Sequence, residues 1–155
     1  MIKTGFRVIV FFSFISLIVA CHHQDESNVE ELKKQIEKAD LDMSSMATKD
    51  GFHKAILYYA DSSMVKFSDG GYPVIGKKDY AETIGKHKDV KTIVWKPVYV
   101  DVAKSGELGY SWGNWKDVEK DSSYYGNYFT VWKKQSDGSW KVALDGGNNS
   151  PKPKI

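Results

Sequence analysis

This 155-residue sequence is poor in cysteine, with Cys21 as its single example. One thiol excludes an intramolecular disulfide framework and any zinc site built from several cysteines. The apolar run over residues 8–20 is shorter than the roughly 20 residues that a membrane-spanning helix needs. The length allows one ordinary domain. The 41% hydrophobic and 27% charged content is typical of a globular chain, not a disordered one.

Excess positive charge is also scarce beyond the first 20 residues. The formal net charge of +2 is accounted for by Lys3 and Arg7, which have no acidic residue near them in this segment. The chain from residue 21 to residue 155 is therefore neutral overall. Because a nucleic-acid-binding protein needs a basic surface to neutralise phosphates, the composition argues against a nucleic-acid partner.

Common signatures of catalysis and cofactor binding are missing from the sequence. It has no G-x-S-x-G nucleophile elbow. Gly70 and Gly71 precede Pro73 instead of opening a helix with Lys-Ser or Lys-Thr, so they form no phosphate-binding loop. His22 and His23 are adjacent, but sequence neighbours alone seldom converge on an ion, and we interpret them as part of a flexible tether. The sequence predicts no metal and no cofactor.

The segment that ends at Cys21 has the layout of an export signal, with basic residues followed by an apolar run. Its last residues, Leu17-Ile18-Val19-Ala20-Cys21, resemble the lipobox of bacterial lipoproteins. That resemblance implies cleavage before Cys21 and lipidation of Cys21. Two or three acyl chains would then anchor the mature protein to a membrane of the cell envelope, since one chain holds only marginally. A plain cleaved signal and an uncleaved anchor remain as alternatives.

Three helices are expected in the first half of the chain. The capping box Ser27-Asn28-Val29-Glu30 predicts the start of the first helix, and Asp50-Gly51 predicts its end. A second helix should run from Phe52 to about residues 60–61, and a third should cover residues 77–87. The apolar stripe of the first helix follows helical spacing. Its members are Val29, Leu32, Ile36, Ala39, Met43 and Met46.

A short strand is expected near residues 64–67, and the pattern of the second half is β throughout. Short polar joints separate its runs of aromatic and β-branched residues, which predicts an antiparallel meander. The runs cover residues 92–103, 108–118, 123–134 and 139–145. In the last run, strict alternation places Trp140, Val142 and Leu144 on one face. Asp145 then falls on the other face, where a solvated or dimer-facing carboxylate is the ordinary interpretation.

This element order and four segments resemble the SnoaL-like branch of the nuclear transport factor 2-like superfamily, in a bacterial lipoprotein precursor. The resemblance covers about Val29 to Asn148. The segments are residues 58–64, 70–77, 126–134 and 137–142, the last extended by Asp145. It implies an α+β, cone-shaped fold in which N-terminal helices pack on a curved antiparallel sheet. It also implies a pocket between the two layers and a homodimer.

The same resemblance implies the organisation of the chain. The expected parts are a lipoprotein signal peptide over residues 1–20, a tether over 21–27, the SnoaL-like domain over 28–148 and a tail over 149–155.

Within that superfamily, ketosteroid isomerase uses a carboxylate base with a tyrosine and a protonated aspartate as oxyanion donors. Aligned on its motif, the base position is Phe67, the tyrosine position lies near Met43, and the aspartate position lies near Tyr128. A phenyl ring and a thioether transfer no protons. Since two of the three roles are lost, steroid-isomerase chemistry is not predicted.

Other residues remain as candidates for chemistry or binding. Asp61, Asp101 and Tyr128 are the candidate acid–base groups, although a turn or cap is the ordinary role for Asp61. Tyr110, Trp112 and Tyr128 are the candidate ligand-binding residues, since small-molecule pockets are often lined by aromatic side chains. Core packing and dimer contacts are the ordinary roles of such aromatics. The face assignments assume unbroken alternation, which one β-bulge would invert.

Two functions follow from these observations. The favoured one is an envelope lipoprotein whose domain is a non-enzymatic module that binds a small apolar molecule or serves as an accessory subunit. The alternative is an isomerase, dehydratase or hydrolase acting on a small apolar metabolite. Fold resemblance does not choose between them, because this fold carries many activities.

Overall fold

A computed structural model describes residues 13–85, 88–119 and 123–153, with side chains from residue 28 onward. Three helices pack against one six-stranded sheet in this part of the chain. The helices are α1 (Ser13–Asp50), α2 (Phe52–Tyr59) and α3 (Lys77–Ile84). The strands are β1 (Ala60–Lys66), β2 (Val74–Ile75), β3 (Ile93–Val102), β4 (Leu108–Val118), β5 (Ser123–Lys134) and β6 (Trp140–Asn149).

The sheet is curved and unclosed, and its strand order is β2-β1-β6-β5-β4-β3. Strands β3 to β6 are consecutive antiparallel neighbours, which confirms the predicted meander. One strand pairing departs from the expected antiparallel arrangement. Strand β1 runs parallel to β6, so the sheet is mixed. The last strand also continues four residues beyond the predicted end at Asp145, up to Asn149.

Helix α1 supplies much of the core, because one of its faces lies against the sheet. Leu32, Ile36 and Met43 are buried there, as the stripe predicts. The capping box at residues 27–30 is not a helix start, since the chain is helical from Ser13 and the backbone N–H groups at that point already have helical partners. Within the described residues, no helix combines the length and the apolar character needed to cross a membrane.

A β-bulge in β6 changes which residues face the helices. The pairing of β5 with β6 shifts between Val131 and Trp132, so that Ala143 has no partner. The extra residue reverses the alternation beyond it. Asp145 is therefore buried on the same face as Trp140 and Val142, whereas unbroken alternation placed it on the opposite face.

Helix α2 is held in place by a carboxylate from far along the chain. The side chain of Asp89 accepts backbone hydrogen bonds from His53 (2.9 Å) and Lys54 (3.1 Å), and thus caps the N-terminus of the helix. Gly51 precedes the helix with φ of 126°, and a Cβ on this residue would lie 2.2 Å from Asp89 Oδ2. The glycine allows this approach. The cap fixes the position of Phe52, the first residue of α2.

Candidate functional site

A cavity of about 100 Å³ lies between α1, α2 and the concave face of the sheet. Its walls are mainly apolar and aromatic: Met43, Phe52, Ile56, Ile93, Trp95 and Trp115. Four polar side chains also line it: Lys66, Tyr128, Thr130 and Asp145. An apolar enclosure with few polar groups is the usual form of a small-molecule site.

A wider space of about 240 Å³, called the mouth below, adjoins this inner chamber. The inner chamber and the mouth share the lining residues Phe52, Lys66, Trp115 and Gly147, so the two spaces are neighbours along these residues. The mouth is more polar than the chamber. Its polar side chains include His53, Ser68, Asp69, Asn148 and Asn149. A ligand that fills both parts needs an apolar end inside and tolerates polar groups outside.

A buried ion pair lies where the chamber meets the mouth. Lys66 Nζ is 2.5 Å from Asp145 Oδ1, and both side chains are largely withdrawn from solvent. The hydroxyl of Thr130 donates a 2.8 Å hydrogen bond to Asp145 Oδ2. Both oxygens of this carboxylate therefore have partners, as a buried charge requires.

A second buried carboxylate, Asp40, lies behind the cavity wall and is fully inaccessible to solvent. Trp95 Nε1 donates a 2.6 Å hydrogen bond to Asp40 Oδ1, and the hydroxyl of Tyr128 donates a 2.9 Å hydrogen bond to Asp40 Oδ2. Sequence reasoning missed this residue. Its position four residues after Ile36 and three before Met43 makes it the charged member of the buried stripe, and that spacing could have revealed it.

Burial raises the pKa values of both Asp40 and Tyr128. Removal from water raises the pKa of Asp40, although hydrogen bonds from Ser111, Trp95 and Tyr128 act in the opposite direction. Burial and the neighbouring Asp40 carboxylate raise the pKa of Tyr128 well above its ordinary value. Tyr128 therefore remains a neutral hydrogen-bond donor at physiological pH.

Of the three candidate acid–base residues, the structure places only Tyr128 at the cavity. Asp61 is buried elsewhere, where its Oδ1 accepts hydrogen bonds from the backbone N–H (3.0 Å) and hydroxyl (2.7 Å) of Ser63. These bonds lower the pKa of Asp61, so the residue has the turn role considered for it. Asp101 forms an ion pair with Lys33 of α1 at 3.2 Å, away from the cavity.

Tyr110 and Trp112, expected in the pocket with Tyr128, lie on the outer face of the sheet and are each 42% exposed. The alternate residues of β4 face α1 instead, and they are small because the helix lies close. A Cβ on Gly109 would be 2.3 Å from Ile36 Cδ1. Ser111, the next residue on this face, is fully buried. The expected placement of the two aromatics is therefore corrected by the close packing of α1.

The positions aligned with ketosteroid isomerase do meet at the cavity. Met43 lines the chamber, Tyr128 lines the chamber beside it, and Phe67 lines the mouth. His53 also lines the mouth, and its Nδ1 lies 2.7 Å from the hydroxyl of Tyr80.

Several sequence-based assignments fall outside what the structure describes. They concern the signal segment up to residue 12, the end of the third predicted helix at residues 86–87, and the side chains of Cys21, His22 and His23. Within the described part of the chain, no group of three or more His, Cys, Asp or Glu side chains is arranged to hold a metal ion.

We predict that Asp40 makes the stability of the protein fall with rising pH. Since the folded state raises the pKa of Asp40, its contribution is fully present below the ordinary value of about 3.8 and is lost as the pH rises through the folded pKa. Asp40→Asn removes this titration. It also leaves Trp95 or Tyr128 without an acceptor, which lowers the free energy of unfolding by about 1–3 kcal/mol.

Urea denaturation of both proteins at a series of pH values measures this effect. The advantage of the wild type over Asp40→Asn should be largest at acidic pH and should shrink as the pH rises. Glu31→Gln, which replaces an exposed carboxylate of the same helix, is the control and should leave the free energy of unfolding nearly unchanged. A constant difference between the wild type and Asp40→Asn at all pH values would contradict the assignment.

No protein-family model and no curated protein matches this sequence. Solved structures do match its fold. A ketosteroid isomerase-like protein from Erwinia carotovora atroseptica is similar with a TM-score of 0.62 and 17% identity, over 77% of this chain and 97% of that one. A nuclear transport factor 2-like protein of unknown function from Shewanella oneidensis gives 0.59 and 15%, over 74% and 96%.

A third solved structure is similar over more of this chain. It is a nuclear transport factor 2-like protein with a cystatin-like fold from Novosphingobium aromaticivorans, with a TM-score of 0.60 and 10% identity over 90% of each chain. Identities this low carry no information on activity. The similarities show that this chain has the nuclear transport factor 2-like fold, as the sequence resemblance predicted.

Proposed function

We propose that this domain binds a small, mostly apolar molecule in the cavity between its helices and its sheet, without transforming it. The observation that carries the proposal is an aromatic-walled chamber next to a more polar mouth. Such a shape suits a ligand with an apolar end and a polar end.

The polar groups at the cavity favour binding over proton transfer. Both oxygens of Asp40 accept hydrogen bonds from the surrounding protein, and so do both oxygens of Asp145. Phe67 stands at the position where the resemblance to ketosteroid isomerase expects the base. An enzyme remains the second candidate, supported by Tyr128 and Asp145 lining one chamber. Recovery of a bound molecule in chemically converted form would favour it.

We predict that filling the chamber abolishes retention of the ligand. Ile93→Phe adds a ring at the chamber wall and should remove the mass of any molecule that native mass spectrometry finds on the full chain purified from its source. Val94→Phe makes a similar change at the next residue of β3, which is exposed, and serves as the matched control. Wild-type protein without a retained molecule, or equal retention by both variants, would contradict the proposal.

We also propose that the protein is a lipoprotein of the bacterial cell envelope, anchored through lipid on Cys21. The support is the sequence Leu17–Cys21 at the end of an apolar run, preceded by Lys3 and Arg7. Acyl chains would supply the attachment, since a neutral body offers little electrostatic attraction to an anionic membrane.

We predict that Cys21→Ala releases the protein from membranes. Without the thiol there is no site for the acyl chains, so the variant should move from the membrane pellet to the soluble fraction or remain as an uncleaved precursor of higher mass. Ser16→Ala, in the same leader, is the control and should leave fractionation unchanged. If processed Cys21→Ala protein still sediments with membranes as the wild type does, the lipid anchor is wrong.

A third proposal assigns a role to the aromatics of the outer sheet face, which we infer to be the surface of a homodimer. Trp112 is paired across β4 and β5 with Phe129, and both side chains are 42% exposed. Tyr110 adds to the same face and lies beside Tyr99, with ring centroids 6.1 Å apart. Exposed aromatic clusters of this kind mark protein interfaces.

We predict that Trp112→Lys converts a dimer into a monomer, since a desolvated ammonium group would oppose burial of this face. Light scattering coupled to size-exclusion chromatography measures the mass. Tyr72→Lys is the control, since Tyr72 is also exposed but lies far along the chain in the loop before β2. A monomeric wild type, or a variant that remains dimeric, would contradict this interface.

A further inference from the structure

Lys66 occupies a special position in the cavity, because it lines both the inner chamber and the mouth. Its Nζ lies 5.8 Å from the ring centroid of Phe52. Its side chain is only 12% exposed. A molecule that occupies both spaces therefore lies beside this ammonium group.

The ammonium group has more donors than the described protein uses. A lysine carries three N–H donors and no acceptor. Among the described residues, Asp145 Oδ1 is the acceptor within bonding distance of Nζ. Two N–H groups of Lys66 are therefore available to an oxygen atom brought by a ligand.

The charge balance at this point selects a neutral ligand. Lys66 and Asp145 form a buried pair without net charge. An anionic ligand would add a third charge close to the Asp145 carboxylate in an apolar enclosure, where an uncompensated charge is strongly disfavoured. A neutral carbonyl or hydroxyl oxygen meets the two N–H groups without that penalty.

The size of the space limits the apolar part of the ligand. An apolar cavity of about 150 Å³ is known to accept benzene, whereas the inner chamber here measures about 100 Å³. A six-membered ring that enters the chamber would therefore also occupy part of the mouth, beside Lys66. That placement brings a polar substituent of the ring to the level of Lys66.

We propose, deepening the binding function proposed above and resting on it, that the cavity selects neutral ring compounds whose carbonyl or hydroxyl oxygen accepts a hydrogen bond from Lys66. The pair Lys66–Asp145 is then the polar recognition element of an otherwise apolar site. Asp145, which has its other oxygen bonded to Thr130, acts as a positioning residue for the lysine.

The test compares two probes of matched shape on the full wild-type chain: acetophenone, which carries a carbonyl, and ethylbenzene, which does not. Isothermal titration calorimetry measures both, with identical buffer and detergent in cell and syringe. A hydrogen bond from a charged donor should make acetophenone bind about tenfold more tightly. The carbonyl stretch of bound acetophenone should also shift to lower frequency than that of the free probe.

Lys66→Met retains an unbranched apolar stem but removes the donor, so its preference for acetophenone should fall to less than about twofold. Lys96→Met makes the same change at an exposed site of β3 and should retain the wild-type preference. If Lys66→Met does not fold, the comparison of the two probes on the wild type and the carbonyl frequency still test whether a ligand oxygen accepts a hydrogen bond from Lys66.

Four results would count against the inference. Equal binding of the two probes to the wild type, or an unshifted carbonyl frequency, would remove the role of Lys66 and leave the binding function intact. An undiminished preference in folded Lys66→Met would do the same. Failure of both probes to bind at millimolar concentration would count against this inference, while the mass-spectrometric test of retained ligand decides the binding function independently.

Discussion

The position of helix α1 on the sheet depends on one buried carboxylate. Asp40 accepts hydrogen bonds from Trp95 of β3 and Tyr128 of β5, two strands that are separated by β4. A charge-bearing group in this environment is strongly destabilising unless its partners stay in place, so the helix cannot slide or rotate without breaking both bonds. The hydroxyl of Ser44, one turn further on, donates to the backbone oxygen of Trp95 at 2.8 Å and also accepts its N–H at 3.0 Å. Together these contacts determine which face of α1 packs against the sheet.

That fixed helix also determines where the cavity lies. Near Ile36 the helix lies so close to β4 that a side chain at Gly109 would collide with it. Around Met43 the opposing side chains are large aromatic groups, and they hold the layers apart. The chamber therefore forms beyond Asp40, and Trp95 and Tyr128 serve both as partners of the carboxylate and as part of the chamber wall.

Sequence patterns predicted the positions of the helices and strands well, but they predicted less well which side chains face the interior. The bounds of β4 and β5 agree with the structure, because long runs of aromatic and β-branched residues separated by polar joints leave few other interpretations. Assigning Tyr110 and Trp112 to the pocket failed because hydrophobicity was taken as the sign of the inner face. Where β4 lies against α1, its inner residues are Gly109 and Ser111, since close approach of the helix selects for small size. Asp40 was missed because a search for an apolar stripe passes over the charged residue within it.

The orientation of Asp145 could not be predicted from the sequence, for a different reason. Its inward orientation depends on the bulge at Ala143, and no turn residue or proline in the sequence marks that site. Its partner comes from the parallel pairing of β1 with β6, which sets Lys66 beside Asp145 across a long stretch of chain. The pairing of the strands and the bulge must both occur before the two charges meet. A carboxylate turned inward without the lysine would be buried and uncompensated, and a lysine without the carboxylate would be equally unfavourable. The parallel pairing of β1 with β6 therefore brings Lys66 and Asp145 together in the cavity, and each charge makes the burial of the other possible.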